Sequence, residues 1–139
     1  MPVQPAGAKG VRGAVEGHPE YEDGLKDLEG FSHIMLFYHF HRSKGFTLRP
    51  IPFLDSVPRG VFSTRAPRRP NPVGFSVVRL RKVEGRILHI ENVDMVDGTP
   101  LLDIKPYVPE FDRRTAIRAG WLGKAKGTVL RKRSDPRFR

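Results

Sequence analysis

The chain has 139 residues, a formal net charge of +10 and 38% hydrophobic residues, which is enough for one domain with its own core. It contains no cysteine, which excludes a disulfide framework, a thiol nucleophile and a cysteine-based zinc site. Its 14 glycines and 13 prolines favour short strands and turns over long helices. The longest apolar run, residues 34–38, is too short to cross a bilayer and no leader pattern opens the chain, so we expect a cytoplasmic protein without a membrane partner.

The positive charge is concentrated at the C-terminal end. Residues 113–139 contain ten Lys or Arg and a single acid, whereas residues 1–112 are nearly neutral. A basic arm of this kind suits a polyanion, and nucleic acid is the most common one. A solvated tail that only aids solubility is the alternative.

The N-terminal part of the chain predicts little regular structure. Residues 1–15 are rich in Gly, Ala and Pro and predict a poorly ordered segment that includes the start of a short strand near residues 13–16. Residues 19–30 predict a short helix, because Pro19 suits a first turn.

Residues 31–42 give the strongest strand prediction. Both faces are largely apolar, which is typical of a strand buried on two sides. His33, His39 and His41 fall on one face, but such histidines are more often hydrogen-bonded core or rim residues than ligands, so no metal site is predicted.

The stretch from Gly60 to Gly74 organises the chain. Residues 60–65 predict a short strand. Residues 65–72, here called the arginine loop, contain three prolines that exclude strand or helix interior and predict a stiff extended segment. Arginines on a pre-ordered loop lose less entropy when they bind a carboxylate or phosphate. A rigid solvated connection is the alternative.

The C-terminal half predicts a hairpin and one further strand. Residues 75–83 and 86–94 alternate and are joined at Glu84-Gly85. A turn over 94–100 and a strand over 101–109 follow, and the alternation places Asp103, Lys105 and Tyr107 on one face. A charged, solvated face is the alternative interpretation of these three. The basic region predicts a short helix over 113–120 and a strand over 127–133.

Three stretches, DLEGFSHIMLFYHFHR, GVFSTRAPRRPNPVGFSVV and VDGTPLLDIKPYVP, resemble in order the motifs of the TsaA-like, or TrmO, family. The resemblance covers about residues 16–112, which we therefore treat as the domain. It implies a single-sheeted antiparallel β-barrel that forms homodimers. It also implies S-adenosylmethionine-dependent methylation of N6 in a threonylcarbamoyl-modified adenosine beside the anticodon of tRNA.

The motifs assign roles to residues of this chain. The resemblance implies that the cofactor is bound by His41, Arg42, Arg65, Phe75, Asp94, Asp97, Gly98 and Thr99. It assigns substrate positioning and proton handling to Asp103, Lys105 and Tyr107. Contact with tRNA is expected from Arg68, Arg69, Asn71, Arg131, Lys132 and Arg133.

Two rival functions fit the same sequence. The first is an RNA-binding barrel that does not bind the cofactor, and the second is a methyltransferase of this fold that acts on another substrate. A purely structural dimer explains neither the arginine loop nor the basic arm.

Overall fold

The structure, a computed structural model, describes residues 11–53, 55–91 and 93–124. Its centre is one antiparallel sheet of five strands in the order β1-β4-β3-β2-β5. The strands are β1 (Arg12–Glu16), β2 (His33–His39), β3 (Val73–Glu84), β4 (Ile87–Glu91) and β5 (Leu101–Pro106). The mainly β class is confirmed, as is the short strand expected near residues 13–16.

One face of the sheet, the inner face, forms the core. Its buried side chains come from the three central strands: Ile34, Leu36, Tyr38, Val78, Leu80, Leu88 and Ile90. Leu25 and Leu28, from two short 3-10 helices (Pro19–Leu25 and Leu28–Gly30), pack against them. On the opposite, outer face the β2 residues are only half-buried, so the prediction of burial on both sides of this strand holds for one side.

The predicted hairpin is confirmed, with its turn one residue later than expected. β3 and β4 pair and are joined by Gly85-Arg86, where Gly85 has φ +62°. Glycine adopts this left-handed conformation without the steric penalty of a side chain, which explains its place in a two-residue turn.

The sheet is open. β1 and β5 are its two edges and pair only with β4 and β2 respectively among the described strands. The closed barrel that the resemblance implied is therefore not confirmed. Within the described residues, no helix has the length and apolar character needed to cross a bilayer.

The strand predicted for residues 60–65 is wrong. A 3-10 helix, Val61–Ser63, takes its place. The Ser63 hydroxyl donates to the Gly60 carbonyl at 2.7 Å, and the Thr64 hydroxyl donates to the Val61 carbonyl at 2.8 Å. Such local side-chain bonds offer the backbone an alternative to a sheet ladder.

The helix predicted for residues 113–120 is also wrong. A single turn, α1 (Pro109–Asp112), forms earlier because Pro109 suits the first helical position. It ends at Arg113, whose backbone is extended, and the Arg114 guanidinium donates to the Phe111 carbonyl at 2.8 Å. In a continuing helix that carbonyl would instead accept a hydrogen bond from the backbone amide four residues later. A 3-10 helix, Gly120–Lys124, follows, and the strand predicted for 127–133 lies outside the described residues.

Candidate functional site

Three motif segments meet at one end of the sheet. The amide of His39, at the end of β2, donates to the Pro100 carbonyl at 3.0 Å, just before β5. The next amide, of Phe40, donates to the Pro72 carbonyl at 2.7 Å, at the end of the arginine loop. These two bonds bring together the end of β2, the arginine loop and the turn that precedes β5.

Glycine allows the close approach at this end. A Cβ atom on Gly74 would lie 2.5 Å from Cζ of Phe40 and 2.8 Å from Cε2 of Tyr38. These two rings meet edge to face, with centroids 5.6 Å apart. A side chain at Gly74 would therefore disturb the rings that fix the end of β2.

The outer face carries a row of aromatic and charged side chains. The guanidinium carbon of Arg65 lies 5.0 Å from the centre of the Phe75 ring, a cation–π distance. Phe75 stacks on Phe37, with centroids 6.0 Å apart and an interplanar angle of 21°. Phe37 in turn is paired with Asp103 across β2 and β5. The arginine loop is thus linked across three strands to the predicted catalytic strand.

Asp103 and Lys105 form an exposed ion pair on this face. Nζ of Lys105 lies 3.1 Å from Oδ2 of Asp103, and the two side chains are 57% and 53% exposed. The hydrogen bond from Lys105 holds the pKa of Asp103 below its ordinary value. The carboxylate is therefore ionised at neutral pH, and so exposed a pair is separated at small free-energy cost.

Tyr107 lies apart from these two. It follows the end of β5, and its ring meets that of His33 edge to face at 6.4 Å. His33 is four residues from Phe37 along β2, which corresponds to about 13 Å. The predicted set of Asp103, Lys105 and Tyr107 is thus on one side of the sheet, with the phenol at the far end.

Asp94 belongs to the inner face. The Ser76 hydroxyl donates to Oδ1 of Asp94 at 3.2 Å, and the hydroxyls of Tyr38 and Ser76 are 2.8 Å apart. Because an ionised carboxylate only accepts, the serine proton points to Asp94 and the tyrosine proton to Ser76. Burial raises the pKa of Asp94 to about 6, and burial also raises the pKa of Tyr38. Neither serine nor tyrosine was predicted from the sequence.

The turn after Asp94 is built as expected. Gly98 has φ +82°, and Thr99 bonds the Val96 carbonyl through both its amide and its hydroxyl. Asp97 and Gly98 form its tip, and both are exposed. His41 and Arg42 form a turn directly after β2, beside the segments that meet there.

The arginines of the arginine loop have different roles. Arg69 donates through Nη1 to the carbonyls of Thr64 at 2.8 Å and Ala66 at 3.2 Å, which braces the loop from within. Arg68 is exposed and has no ion-pair partner among the residues that the structure describes. Asn71 is exposed as well. Arg131, Lys132 and Arg133 lie outside the described residues.

No metal site is found in the part of the chain that the structure describes, where no three His, Asp or Glu side chains are grouped to hold an ion. The histidines of β2 have other neighbours. His33, for example, is 2.8 Å from the Ser32 hydroxyl through Nδ1.

Comparison with known proteins decides the family. A sequence model described as the tRNA-methyltransferase O N-terminal domain matches residues 1–113. The chain belongs to the tRNA-methyltransferase O, or TrmO, family. It is 55% identical over 138 residues to a probable S-adenosyl-L-methionine-binding protein of Pyrococcus abyssi, covering 99% of this chain and 75% of that protein.

Two other members of the TrmO family are longer than this chain. The human tRNA (adenine(37)-N6)-methyltransferase is 40% identical over 105 residues, which are 73% of this chain and 23% of the human protein. The crystal structure of TrmO from Pseudomonas aeruginosa superposes with a TM-score of 0.71 at 40% identity. That match covers 86% of this chain and 53% of the other, so this chain spans about half of the solved structure.

Two clefts on the described surface of this TrmO family member are lined by none of Arg65, Phe75, Asp103 and Lys105. One is beside the helix Pro19–Leu25 and the other is lined by Arg12, Gly13, Arg81, Lys82, His89 and Ile90. These four outer-face residues instead form part of an open surface, on which Phe75 is 37% exposed. A ligand bound to Phe75 and Arg65 would be accessible to water unless another molecule covered it.

Proposed function

We propose that this chain transfers a methyl group from S-adenosylmethionine to N6 of a threonylcarbamoyl-modified adenosine next to the tRNA anticodon. The observation that carries the proposal is the meeting of three motif segments at one end of the sheet, continued by the row from Arg65 to Lys105. Curated relatives are named as S-adenosyl-L-methionine-binding proteins and as tRNA (adenine(37)-N6)-methyltransferases, in agreement with this chemistry.

The residues at this end fit the cofactor in chemical type. Phe75 and Phe37 offer an aromatic surface for an adenine ring, and Arg65 beside them suits a carboxylate. The turn at Asp97, Gly98 and Thr99 provides a carboxylate and backbone groups for hydroxyl and amino groups. Asp94 directly precedes this turn, with its carboxylate on the inner face beside Ser76. His41 and Arg42 follow the same strand end. When bound, S-adenosylmethionine supplies a methyl group activated by its sulfonium.

Asp103 is our candidate for the proton acceptor. The carbamoyl substituent delocalises the N6 lone pair, so loss of the N6 proton must accompany formation of the new N–C bond. The Asp103 carboxylate would accept that proton, and the bound donor would supply the methyl group from its sulfonium, which would be left as a neutral thioether. We prefer Asp103 to Tyr107 because Asp103 is paired with Phe37, next to Phe75, whereas Tyr107 lies at the far end of the face.

Lys105 is our candidate for holding the threonyl carboxylate. Its ion pair with Asp103 is exposed, so the ammonium group can exchange one carboxylate for another with little change in free energy. Its release would also leave Asp103 a stronger base, because the hydrogen bond from Lys105 is the main cause of the lowered pKa.

Contact with tRNA would come from the arginine loop and the basic arm. Arg68 and Asn71 are exposed, and Arg69 braces the loop that carries them. Arg131, Lys132 and Arg133 add charge in the C-terminal arm. Binding of this type weakens steeply with salt because counterions are released.

A homodimer is part of the proposal. The half-exposed apolar side chains on the outer face, centred on Phe37 and Phe75, would be covered by a second copy. The same contact would enclose a cofactor that the open surface of one copy leaves accessible to water.

The cofactor site is tested by calorimetric titration with S-adenosylmethionine. Arg65→Ala is expected to weaken binding about 10-fold to 100-fold, because a charge-assisted contact is lost. Arg86→Ala is the matched control, since Arg86 pairs with Glu16 elsewhere on the sheet at 3.5 Å. Equal affinities of the wild type and Arg65→Ala, or no binding by the wild type at millimolar cofactor, would contradict the site.

A further inference from the structure

Phe62 is an aromatic side chain that the proposed reaction does not use. It lies on the 3-10 helix Val61–Ser63 and is 77% exposed, whereas its neighbour Val61 is buried and fixes the helix to the body. The helix is further held by the hydroxyl bonds of Ser63 and Thr64 to preceding carbonyls. The ring is thus presented to solvent from a braced support.

Trp121 lies beside the same helix. Its indole Nε1 donates to the carbonyl of Ser63 at 3.0 Å, across 58 positions of sequence. Ser63 directly follows Phe62, so this bond holds the 3-10 helix Gly120–Lys124 close to Phe62. Trp121 is the only tryptophan of the chain and is half-buried, so part of its surface is open.

Each ring has a guanidinium near it. The Arg69 carbon lies 6.0 Å from the Phe62 ring centre, and the Arg59 carbon lies 5.7 Å from the Trp121 ring centre. Neither arginine is loose. Arg69 is held by the carbonyls of Thr64 and Ala66. Arg59 is held by the Asp55 carboxylate, with nitrogen–oxygen distances of 2.6 Å and 2.7 Å.

Apart from Phe75, which lies beside Arg65 in the proposed cofactor site, the other most exposed phenylalanines lack this arrangement. Phe111 is 71% exposed and Phe46 is 55% exposed, but no guanidinium is placed over either ring among the described residues. Aromatic rings beside fixed guanidinium groups are the usual means of holding unpaired nucleotides, since every base has a face to stack and a phosphate to neutralise. The exposed Arg68 adds to the positive charge here.

We infer that Phe62 and Trp121, with Arg69 and Arg59, form a platform on which unpaired RNA bases stack. The inference rests on the proposed function and extends it, because an anticodon loop presents unpaired bases. It assigns part of the recognition to stacking, in addition to the charge of the arginine loop and the basic arm.

Titration of the full chain with RNA tests the platform, with the fluorescence of Trp121 as the reporter. The probes are a short hairpin with a large unpaired loop and a fully paired duplex of equal charge. We expect the wild type to bind the looped hairpin more tightly, with quenching of Trp121. Phe62→Ala should weaken that binding about 5-fold to 100-fold, the range for loss of one stacked base. Phe62→Tyr, which keeps a ring, should retain most of the affinity.

The salt dependence separates stacking from charge. Phe62→Ala should leave unchanged the slope of log affinity against log salt concentration. Arg68→Ala should reduce the magnitude of that slope by about 1, which corresponds to the loss of one phosphate contact. The titration contains no cofactor, so its result is independent of methyl transfer. A failure of the proposed function would be seen in the calorimetric titration with S-adenosylmethionine instead.

Two results would overturn the inference. The first is equal binding of the two probes by the wild type, with Phe62→Ala unchanged. The second is a Phe62→Ala chain that becomes monomeric in sedimentation, which would make this surface a contact between copies. Trp121→Phe is the second variant, because it keeps a ring but removes the bond to Ser63. It lacks the tryptophan reporter, so its binding is followed by the fluorescence anisotropy of a labelled looped hairpin, and it should also lose affinity for that probe.

Discussion

Asp103→Asn is expected to transfer methyl groups about 100-fold to 10,000-fold more slowly than the wild type, the usual contribution of a general base. An asparagine keeps the shape of the side chain but cannot take the N6 proton. The measurement is the single-turnover rate at saturating cofactor and modified tRNA. Since binding is not expected to depend on proton transfer, the affinity for tRNA should change far less than the rate.

Lys105→Ala is the companion variant. If the ammonium group holds the threonyl carboxylate, its loss should raise KM more than it lowers kcat. Glu110→Gln is the control, because Glu110 is an exposed carboxylate just after β5 that lies outside the proposed site. Full turnover by both Asp103→Asn and Lys105→Ala would remove this strand from the mechanism.

Asp94→Asn is expected to stabilise the folded chain at about pH 7.5, by at most about 3 kcal/mol in the free energy of unfolding. The ordinary pKa of this carboxyl is 3.8, and burial raises it to about 6 in the folded state. Between these values the folded state holds a proton that the unfolded state releases. The stability that Asp94 contributes is therefore complete below about pH 4 and is lost as the pH rises through about 6.

Thermal or denaturant unfolding at two pH values measures this effect. The free energy of unfolding of the asparagine variant should exceed that of the wild type at about pH 7.5. The difference should disappear near pH 4, where the carboxyl is neutral. The amide oxygen can still accept the bond from Ser76. Asp23→Asn is the control, since Asp23 is exposed. An equal or lower stability of Asp94→Asn at about pH 7.5 would show that the carboxylate is stabilised by contacts that we have not identified.

The same variant should lose affinity for S-adenosylmethionine, because we propose Asp94 as a cofactor-binding residue. A buried carboxylate without a cation beside it lowers stability, and such residues are common at functional sites. If Asp94→Asn increases the stability of the chain and abolishes binding of S-adenosylmethionine, Asp94 serves function at a cost in stability.

The sheet was largely predictable because alternation and turn chemistry are local. The pattern of β3 and β4 and the glycine between them were sufficient for the hairpin. The 3-10 helix Val61–Ser63 was not predictable from residue type, because valine and phenylalanine favour strands when a partner strand is available. Here the hydroxyls of Ser63 and Thr64 bond to backbone carbonyls, which then do not need a partner strand. The pattern of apolar and polar residues does not reveal such bonds.

The site was predictable only in part. The motifs indicated Arg65, Phe75 and Asp103, but their adjacency depends on Phe37, which pairs with both neighbouring strands. Strand order is a long-range property and cannot be inferred from the periodicity of a single strand. The position of Asp94 under Ser76 also required the structure, because residues after a strand have no fixed face.

The platform at Phe62 and Trp121 was not predicted either. The two residues are 59 positions apart, and neither falls in an alternating pattern that marks a face. The signal present in the sequence is an aromatic residue just before the arginine loop, within the stretch interpreted as a short strand.

The most direct test of the central claim is the transfer of labelled methyl from S-adenosylmethionine to tRNA, followed by mass spectrometry of the nucleosides. We expect the wild-type chain to give an N6-methylated threonylcarbamoyladenosine, and to give none with the same tRNA lacking the threonylcarbamoyl group. Binding of tRNA without any methylated nucleoside at saturating cofactor would contradict the claim and leave an RNA-binding protein. Equal methylation of both tRNAs would keep the enzyme but contradict the assigned substrate.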